Sequence, residues 1–262
     1  MELKGKTAFI TGGGGGIGAG IGEALHEKGM NIVLADIDLG YAEAEAARIG
    51  GGAMPLALDV TSLDSWAAAC ATAQARFGPV DVLCNNAGVV TAATALDQLA
   101  PGEFARLMAV NVTGVFNGVI TFAGDMRERG NGHIVNTSSM NGLAPYGTMA
   151  AYSTTKFAVL GMSDALRQEL APHGVGVSTL FPGRTRSRLS LGRKIGVAPD
   201  VSMDPVWIGR AVARAIERNE PYIATHPEYR AGLEARFAEI LDAFGEPAQP
   251  GYGVGGSARL NS

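Results

Sequence analysis

The stretch TAFITGGGGGIGAGIG, residues 7–22, decides the fold. A short apolar run, 7–10, leads into five consecutive glycines, and a helical pattern of apolar residues follows them. Glycine lets the backbone turn sharply and approach a pyrophosphate, whose charge is favoured at a helix N-terminus. The strand–loop–helix order therefore predicts a nucleotide-binding loop, although a glycine run alone is also typical of a flexible turn.

The register of this loop is open from the sequence. Gly13, Gly15 and Gly18 match the pattern GxGxxG, whereas Gly12, Gly16 and Gly18 match GxxxGxG. A phosphate-binding P-loop is excluded because no Lys-Ser or Lys-Thr pair follows the last glycine. The residues of the loop that we expect to contact a cofactor are Gly12, Gly14, Gly15, Gly16, Ile17 and Gly18.

Further apolar runs alternate with helical patterns along the chain. Strands that are apolar throughout and separated by helices indicate a parallel sheet covered on both faces. Right-handed crossovers then give a doubly wound α/β sheet, the Rossmann arrangement. The strands are predicted at 7–10, 31–35, 54–60, 80–88 with its exit loop, 133–139 and 175–183. The main helices are predicted near 62–77, 101–109, 111–128 and 152–170.

The chain shows neither an internal repeat nor a linker, which predicts a single catalytic domain over residues 1–247. The Arg-, Ser-, Gly- and Pro-rich segment 184–205 is predicted to be a substrate lid, and 248–262 a flexible C-terminal tail. A final amphipathic helix is expected over 228–244. Its apolar side would carry Leu233, Phe237, Ile240, Leu241 and Phe244.

Composition narrows the functional class. The chain has 262 residues, a net charge of −4 and a pI of about 5.6, so no basic face is expected to bind nucleic acid. The N-terminus lacks the apolar stretch of a signal peptide, and no apolar run reaches about 18 residues, so we expect a cytoplasmic protein without a membrane span. No metal site is predicted, because the histidines are scattered and are expected at the surface or in packing: His26, His133, His173 and His226.

Asp36 ends the second predicted strand, 18 residues after Gly18. A carboxylate at this position can accept hydrogen bonds from both hydroxyls of an adenosine ribose and would repel a 2′-phosphate. No Arg or Lys lies in the glycine loop or at Ile37 to offset that repulsion. NAD is therefore the predicted cofactor, with Asp36 and Ile37 as contacts; the alternative is an ordinary helix-capping aspartate.

Tyr152 and Lys156 lie four residues apart in AAYSTTKFA, so they share one face of a helix. The pair is compatible with a phenol that packs beside a lysine stem, or with a phenol whose pKa is tuned by a cation. Lowering a tyrosine pKa from about 10 by roughly three units takes about 4 kcal/mol. A cation near 4 Å supplies about that much at an effective dielectric constant near 20.

The ordered motifs together resemble the short-chain dehydrogenase/reductase family over roughly residues 4–183. Three further stretches are similar to bacterial Cα-dehydrogenases that act on lignin-derived aryl ethers: FNGVITF, GHIVNTSS and PYIATHPEYRAGLEARFAEILDAF. The motifs that carry the family resemblance are TGGGGGIG, Asp59-Val60, Asn85-Asn86-Ala87-Gly88, Asn111, Ser139, Tyr152-xxx-Lys156 and Pro182-Gly183.

The resemblance implies a catalytic set of four residues. Tyr152 would exchange a proton with the substrate oxygen, and Lys156 would lower the phenol pKa and hold the nicotinamide ribose. Ser139 would hydrogen-bond the substrate oxygen as charge develops there. Asn111 would interrupt the fourth crossover helix and hold a water that links Lys156 to solvent, or merely cap the helix that follows.

The resemblance also implies cofactor contacts outside the glycine loop. Asp59 would bond the adenine amino group and Val60 would pack on the ring, whereas the alternative for Asp59 is a cap on the next helix. The motif from Asn85 to Gly88 would leave the fourth strand beneath the cofactor, with Asn86, Ala87 and Gly88 as contacts, and steady the central sheet; the alternative is a simple turn. The final implied contacts are Pro182, Gly183, Thr185 and Ser187. The family usually has valine at the position of Thr185 and threonine at the position of Ser187.

Together these residues predict an oxidoreductase that transfers hydride between NAD and a hydrophobic or aromatic secondary alcohol or ketone. Alternatives are a 3-oxoacyl- or steroid-type ketone reductase and a non-catalytic nucleotide sensor; the presence of Ser139, Tyr152 and Lys156 argues against the sensor. The resemblance implies a homotetramer through the helices near 101–128 and 152–170. A mostly apolar pocket is expected from Met140, Asn141, Leu143, Pro145, Tyr146 and Met149, with substrate contacts at Ser139, Asn141, Tyr146 and Tyr152.

A local cluster of arginines lies in the predicted lid. It would meet an anionic substrate or the cofactor phosphates, or it would lie in a solvated loop. The cluster consists of Arg184, Arg186, Arg188 and Arg193.

Overall fold

The computed structural model describes residues 1–186 and 202–245. By its internal contacts the chain divides into two compact units, Met1–Pro227 and Glu228–Ser262. The predicted lid is described only at its two ends, and the predicted tail lies outside the described residues. The single domain expected to extend to residue 247 stays a prediction.

The first unit is built on a seven-stranded parallel sheet. Its strand order, β3-β2-β1-β4-β5-β6-β7, changes direction between β1 and β4, so the predicted doubly wound α/β fold is confirmed. The strands are β1 Thr7–Thr11, β2 Asn31–Asp36, β3 Ala53–Ala57, β4 Val82–Asn85, β5 Gly132–Thr137, β6 Val175–Phe181 and β7 Tyr222–Ala224.

Helices cover both faces of the sheet. Each face buries its own apolar layer, as expected for strands that are apolar throughout. On one side Phe9 of the sheet packs against the rings of Trp66 and Phe122, at centroid distances of 5.7 and 5.2 Å. The helices are α1 Gly16–Glu27, α2 Leu39–Ile49, α3 Leu63–Phe77, α4 Pro101–Met108, α5 Gly114–Arg129, α6 Ala150–Leu170, α7 Pro205–Arg218 and α8 Arg230–Asp242.

The other side of the sheet depends on a close crossing of α1 and α7. A Cβ atom on Gly20 would overlap the carbonyl oxygen of Pro205, and one on Gly209 would overlap the carbonyl oxygen of Gly20. Glycine at these positions lets the two backbones touch. The helix that follows the predicted lid is therefore packed directly on the helix that begins at the glycine loop.

Sequence reasoning missed α7 and β7. The signals were present, because Asp204 caps α7 by accepting the Val206 N–H at 3.1 Å, and Pro205 occupies the first turn. The residues Ile208, Val212 and Ile216 then recur at helical spacing and are buried, in a segment next to the predicted lid. The third strand also ends earlier than expected, at residue 57 rather than 60.

The predicted interruption of the fourth crossover is confirmed as a five-residue π-helix, Ala109–Thr113, between α4 and α5. By length and composition, the continuous helical segment Pro101–Arg129 could cross a membrane, and 44% of its most apolar window is buried inside the molecule. Leu107, Phe122 and Met126 are among its buried residues. Packing in the core of the first unit accounts for part of this apolar composition.

Among its described residues the second unit contains the helix α8. This helix is two residues shorter at each end than the predicted helix 228–244. None of the α8 side chains is buried. The apolar residues predicted for one side are in large part exposed to solvent: Phe237, Ile240, Leu241 and, just beyond the helix, Phe244.

Candidate active site

The site residues collect at one edge of the sheet. Because all seven strands are parallel, their C-terminal ends share an edge, and ligands of doubly wound sheets bind outside that edge near the switch in strand order. The glycine loop follows β1 there, Asp36 ends β2, and Ser139 follows β5. The fold thus brings together residues that are more than a hundred positions apart in the chain.

The glycine loop has little room for side chains. Gly12 and Gly16 have positive φ angles of 65° and 54°. A Cβ atom on Gly18 would overlap the Gly12 carbonyl oxygen, and one on Gly12 would lie 2.9 Å from the Cα atom of Ala87. The positions of the GxGxxG register are constrained as well, because Gly15 has a φ angle of 156° and a Cβ atom on Gly13 would lie 2.9 Å from the Cα atom of Leu34. Both registers therefore fall on glycines that the backbone requires.

The N-terminus of α1 suits an anion. The helix begins at Gly16, and its N-cap residue Gly15 supplies no side-chain hydrogen bond. The N–H groups of the first turn can therefore donate to a phosphate, whose charge the helix dipole favours. This bare helix end, beside a loop that Cβ atoms would fill, fits the pyrophosphate of a dinucleotide.

Asp36 ties the end of β2 to the glycine loop. Its Oδ2 atom accepts the Gly14 N–H at 2.9 Å, and its Oδ1 atom accepts the Asp38 N–H at 3.1 Å. The capping alternative is wrong, because Asp38 caps α2 by accepting the Tyr41 N–H. Asp36 is only partly buried, and the neighbouring Ile37 is 77% exposed, so both can contact a ligand from solvent.

Asp59 and Val60 follow β3. The Asp59 carboxylate accepts the backbone N–H and the hydroxyl of Thr61, at 2.9 and 2.7 Å, and stays exposed. It does not cap α3, because that role belongs to Ser62. Val60 is 8% exposed and packs so closely on Gly114 that a Cβ there would lie 2.8 Å from its side chain.

The Asn-Asn-Ala-Gly segment is held by Thr11, a residue that sequence reasoning did not single out. The Thr11 hydroxyl accepts the N–H groups of Asn86 and Ala87, both at 2.9 Å. In return, the Asn86 side chain donates to the Thr11 carbonyl at 3.1 Å. Asn85 donates to Asn136 of β5 at 2.9 Å, so this segment joins three central strands and is more than a simple turn.

Lys156 and Tyr152 lie on the same face of α6. The Lys156 Nζ atom is 5.6 Å from the centroid of the Tyr152 ring and donates to the Thr137 carbonyl at 2.9 Å. The lysine is 4% exposed, and burial lowers its pKa from 10.5 to about 8. An ammonium in this environment keeps its charge at neutral pH and is screened little by solvent.

The two serines after β5 have different partners. Ser138 donates to the Lys156 carbonyl at 2.8 Å, which turns it toward α6. The Ser139 hydroxyl accepts the Asn141 N–H at 3.1 Å, so its own hydrogen can be donated to a substrate oxygen. Asn141 in turn lies 3.4 Å from the Ser153 hydroxyl on α6.

Asn111 lies in the π-helix and is fully buried. Its Oδ1 atom accepts the Val89 N–H at 2.8 Å, and its Nδ2 atom donates to the Val89 carbonyl at 2.9 Å and to the Thr155 hydroxyl at 3.1 Å. Thr155 itself donates to the Tyr152 carbonyl at 2.7 Å. The side chain thus joins the segment after Gly88 to the tyrosine helix, and a water that it would hold stays a prediction.

The Pro182-Gly183 segment follows β6. The Pro182 carbonyl accepts the N–H of Met140, and the Thr185 hydroxyl donates to the Gly183 carbonyl at 3.3 Å. The predicted contact Ser187 lies outside the described residues, as do Arg188 and Arg193. Gly183 also donates its N–H to His226 at 3.0 Å, and this histidine is buried, so of the two expectations for it, surface or packing, packing is confirmed.

The residues predicted to line the substrate pocket differ in their exposure. Tyr146 is 54% exposed beside the start of α6 and can meet a ligand. Met140, in contrast, is 3% exposed, and its place in the pocket lining stays a prediction. Among the described residues, no group of three or more His, Cys, Asp or Glu side chains could hold a metal ion.

Comparison with known proteins agrees with this geometry. Residues 6–194 match a family model described as short chain dehydrogenase. A 3-alpha-(or 20-beta)-hydroxysteroid dehydrogenase from Mycobacterium bovis is 39% identical over 191 residues, which cover 72% of each chain. A C alpha-dehydrogenase from a Sphingobium species is 29% identical, over 92% of this chain and 87% of the relative.

Solved structures show the same fold. A short chain dehydrogenase/reductase from Burkholderia phymatum in complex with NAD superimposes with a TM-score of 0.85 at 29% identity, over 95% of this chain and 99% of that one. Structures of other similar proteins contain NADH or NADP. The resemblance inferred from the motifs, including the likeness to Cα-dehydrogenases, is therefore confirmed.

Proposed function

This chain belongs to the short chain dehydrogenase family, and we propose that it is an NAD-dependent oxidoreductase of hydrophobic secondary alcohols or the corresponding ketones. One observation carries the proposal: the buried Lys156 ammonium lies 5.6 Å from the ring of Tyr152 at the ligand-binding edge of the sheet. At an effective dielectric constant near 20, an ammonium about 4–8 Å from the phenolic oxygen contributes about 2–4 kcal/mol toward the phenolate.

The residues have complementary roles in the proposed reaction. Tyr152 takes the proton of the alcohol, or returns it to the ketone, and Lys156 makes the phenol acidic enough to do so. Ser139 donates a hydrogen bond to the substrate oxygen as charge develops. Bound NAD would supply the hydride acceptor and a further positive charge, with the glycine loop, Asp36 and the segment after β4 as its contacts.

NAD is proposed over NADP because of Asp36. The carboxylate is held at the end of β2 by two backbone N–H groups, so it stays at the position where a 2′-phosphate would lie. Ile37 beside it is exposed and uncharged. Neither residue carries a positive charge, and the glycine loop contains no Arg or Lys that could neutralise an added phosphate.

An aryl secondary alcohol is the substrate class that we favour. The match to the Sphingobium Cα-dehydrogenase spans 92% of the chain and so extends beyond residue 194, where the family model ends. A steroid alcohol is the second candidate, since the Mycobacterium bovis hydroxysteroid dehydrogenase has the higher identity, 39%, over a shorter part of the chain.

A substrate panel tests the proposal. NADH formation would be followed spectroscopically at alkaline pH with aryl, steroidal, acyl and polyol secondary alcohols, and repeated with NADP as oxidant. We expect aryl alcohols to have the highest kcat/KM, by about tenfold over steroids, which corresponds to about 1.4 kcal/mol. If the protein binds NADH but oxidises none of these alcohols, the nucleotide-sensor alternative is favoured.

A homotetramer through α4, α5 and α6 is part of the same proposal. Phe104 on α4 and Phe116 and Ile120 on α5 are 37%, 49% and 48% exposed. Phe116 and Ile120 lie one turn apart on the same face of α5 and so form an apolar surface that a partner chain could cover. Light scattering of the purified protein would give the mass. We expect four chains, and Phe116→Glu should shift the mass to smaller species.

A further inference from the structure

His226 lies just beyond β7 and is 6% exposed. Its Nδ1 atom accepts the Gly183 N–H at 3.0 Å and also lies 2.8 Å from the Thr225 hydroxyl, and its Nε2 atom lies 3.1 Å from the Arg184 carbonyl oxygen. A backbone N–H can only donate and a carbonyl can only accept. Nδ1 is therefore an acceptor and Nε2 a donor, and the ring holds two consecutive residues of the loop after β6.

The histidine ring also packs closely against the glycine of the Pro-Gly motif. A Cβ atom on Gly183 would be 2.6 Å from the Cγ atom of His226. The glycine is required here by the neighbouring ring, and no positive φ angle demands it. The two residues form one packed unit, although 43 positions separate them.

The same loop joins the active site to both ends of the predicted lid. The Arg184 carbonyl that faces His226 also accepts the Met203 N–H at 3.0 Å, and the Arg186 N–H donates to the Met203 carbonyl at 3.1 Å. On its other side, the loop accepts the N–H of Met140, the residue after Ser139. His226 is thus bonded to a backbone segment whose shape both regions share.

We propose that His226 is a positioning residue that holds the backbone of Gly183 and Arg184 in the conformation that binds the nicotinamide end of the cofactor. The inference rests on the proposed function and on the contact with NAD that the family resemblance implies for Pro182 and Gly183. Without the two hydrogen bonds, the loop would have to be ordered when the cofactor binds, and that cost weakens binding. The histidine does not touch the reacting atoms.

The structure supplies a matched control in His133. This second buried histidine is 2% exposed, bonds Ser178 through Nε2 at 2.8 Å, and lies so close to Gly176 that a Cβ there would overlap its ring. It lies near the start of β5, at the opposite edge of the sheet from the site. His133→Phe should therefore disturb packing as His226→Phe does, without affecting the cofactor loop.

The test compares His226→Phe, His226→Asn and His133→Phe. Phenylalanine keeps the ring and removes both hydrogen bonds, whereas asparagine places an acceptor near the position of Nδ1. We expect His226→Phe to raise the Kd for NADH by about tenfold, His226→Asn to stay within about threefold of the unmodified protein, and His133→Phe to leave this Kd unchanged. Thermal midpoints of all three are measured in parallel.

Amide hydrogen exchange of the peptide around 182–186 gives a readout that needs no ligand. Faster exchange is expected in His226→Phe and not in His133→Phe. If His226→Phe binds NADH as tightly as the unmodified protein while its thermal midpoint falls, the histidine is structural and this inference is overturned. If the unmodified protein binds no NADH, the proposed function fails first, and the inference fails with it.

Discussion

The ammonium nitrogen of Lys156 lies 5.6 Å from the centroid of the Tyr152 ring, one turn away on the same face of α6. The lysine reaches this position by donating to the carbonyl of Thr137, the last residue of β5. The strand that ends beside Ser139 therefore also orients the cation. The end of β5 and one turn of α6 therefore determine the positions of Tyr152, Lys156 and Ser139.

Tyr152→Phe should abolish turnover, because the proton acceptor is lost while the ring remains. A general acid–base residue contributes about 10²–10⁴-fold, so we expect kcat to fall by about 10³-fold. The Kd for NADH, measured by fluorescence titration, should stay nearly unchanged. Tyr146→Phe is the control, because its hydroxyl belongs to an exposed residue and should alter only KM. Retained turnover in Tyr152→Phe would defeat the proposed mechanism.

Lys156→Met should abolish activity and yet stabilise the fold. Burial lowers the lysine pKa from 10.5 to about 8, so at neutral pH the native state holds a charge at a cost of about 3 kcal/mol. Loss of the hydrogen bond to Thr137 offsets part of that gain, by about 1 kcal/mol. Urea unfolding at pH 7 should show a higher free energy of unfolding than in the unmodified protein.

The pH dependence of this difference has a definite sign. Between pH 8 and 10.5 the unfolded chain retains the lysine proton and the native state does not, so the stability of the unmodified protein gains from this group as the pH rises. The advantage of Lys156→Met should therefore be largest below pH 8 and shrink toward pH 10.5. Lys4→Met, at an exposed lysine, should show no such trend. A constant difference would contradict the burial argument.

Asp36→Ala should reduce the preference for NAD over NADP. The change removes charge from the end of β2 and frees the Gly14 N–H. We expect kcat/KM with NAD to fall by about tenfold or more, as for the loss of a hydrogen bond to a charged group, and the ratio of NAD to NADP efficiency to fall with it. Asp38→Ala is the control, because it removes the α2 cap and should leave the ratio intact. A higher efficiency with NADP in the unmodified protein would refute the role of Asp36.

Thr155→Val should destabilise the link between the π-helix and the tyrosine helix. The buried hydroxyl joins the Asn111 amide to the Tyr152 carbonyl, and its removal should cost about 1–2 kcal/mol in the free energy of unfolding. A lower kcat should accompany that loss. Thr154→Val is a matched neighbour, because its hydroxyl bonds the Ala150 carbonyl on the exposed side of the same helix. Equal effects of the two changes would argue against a specific role for Thr155.

Local patterns were enough to predict most of the sheet and the residues of the candidate site. The glycine run, the apolar strands and the i, i+4 pair Tyr152 and Lys156 are short-range signals. The periodicity of strands and helices then predicts on which face of its element each of these residues lies. Sequence reasoning failed where two elements meet. The helix α7 and the strand β7 were missed beside the predicted lid, and the burial of Met140 could not be seen from its neighbours.

The sequence by itself determined the doubly wound sheet, the edge at which the site forms and the types of residue placed there, because these depend on periodicity and on glycine where the backbone needs it. Tertiary structure alone decided the partners. In the folded chain Ser138 hydrogen-bonds to α6, and the Asn111 amide hydrogen-bonds to Val89 and Thr155. The fold also brings His226 into contact with Gly183. Such hydrogen bonds join residues from separate strands and helices, and no spacing within one segment specifies them.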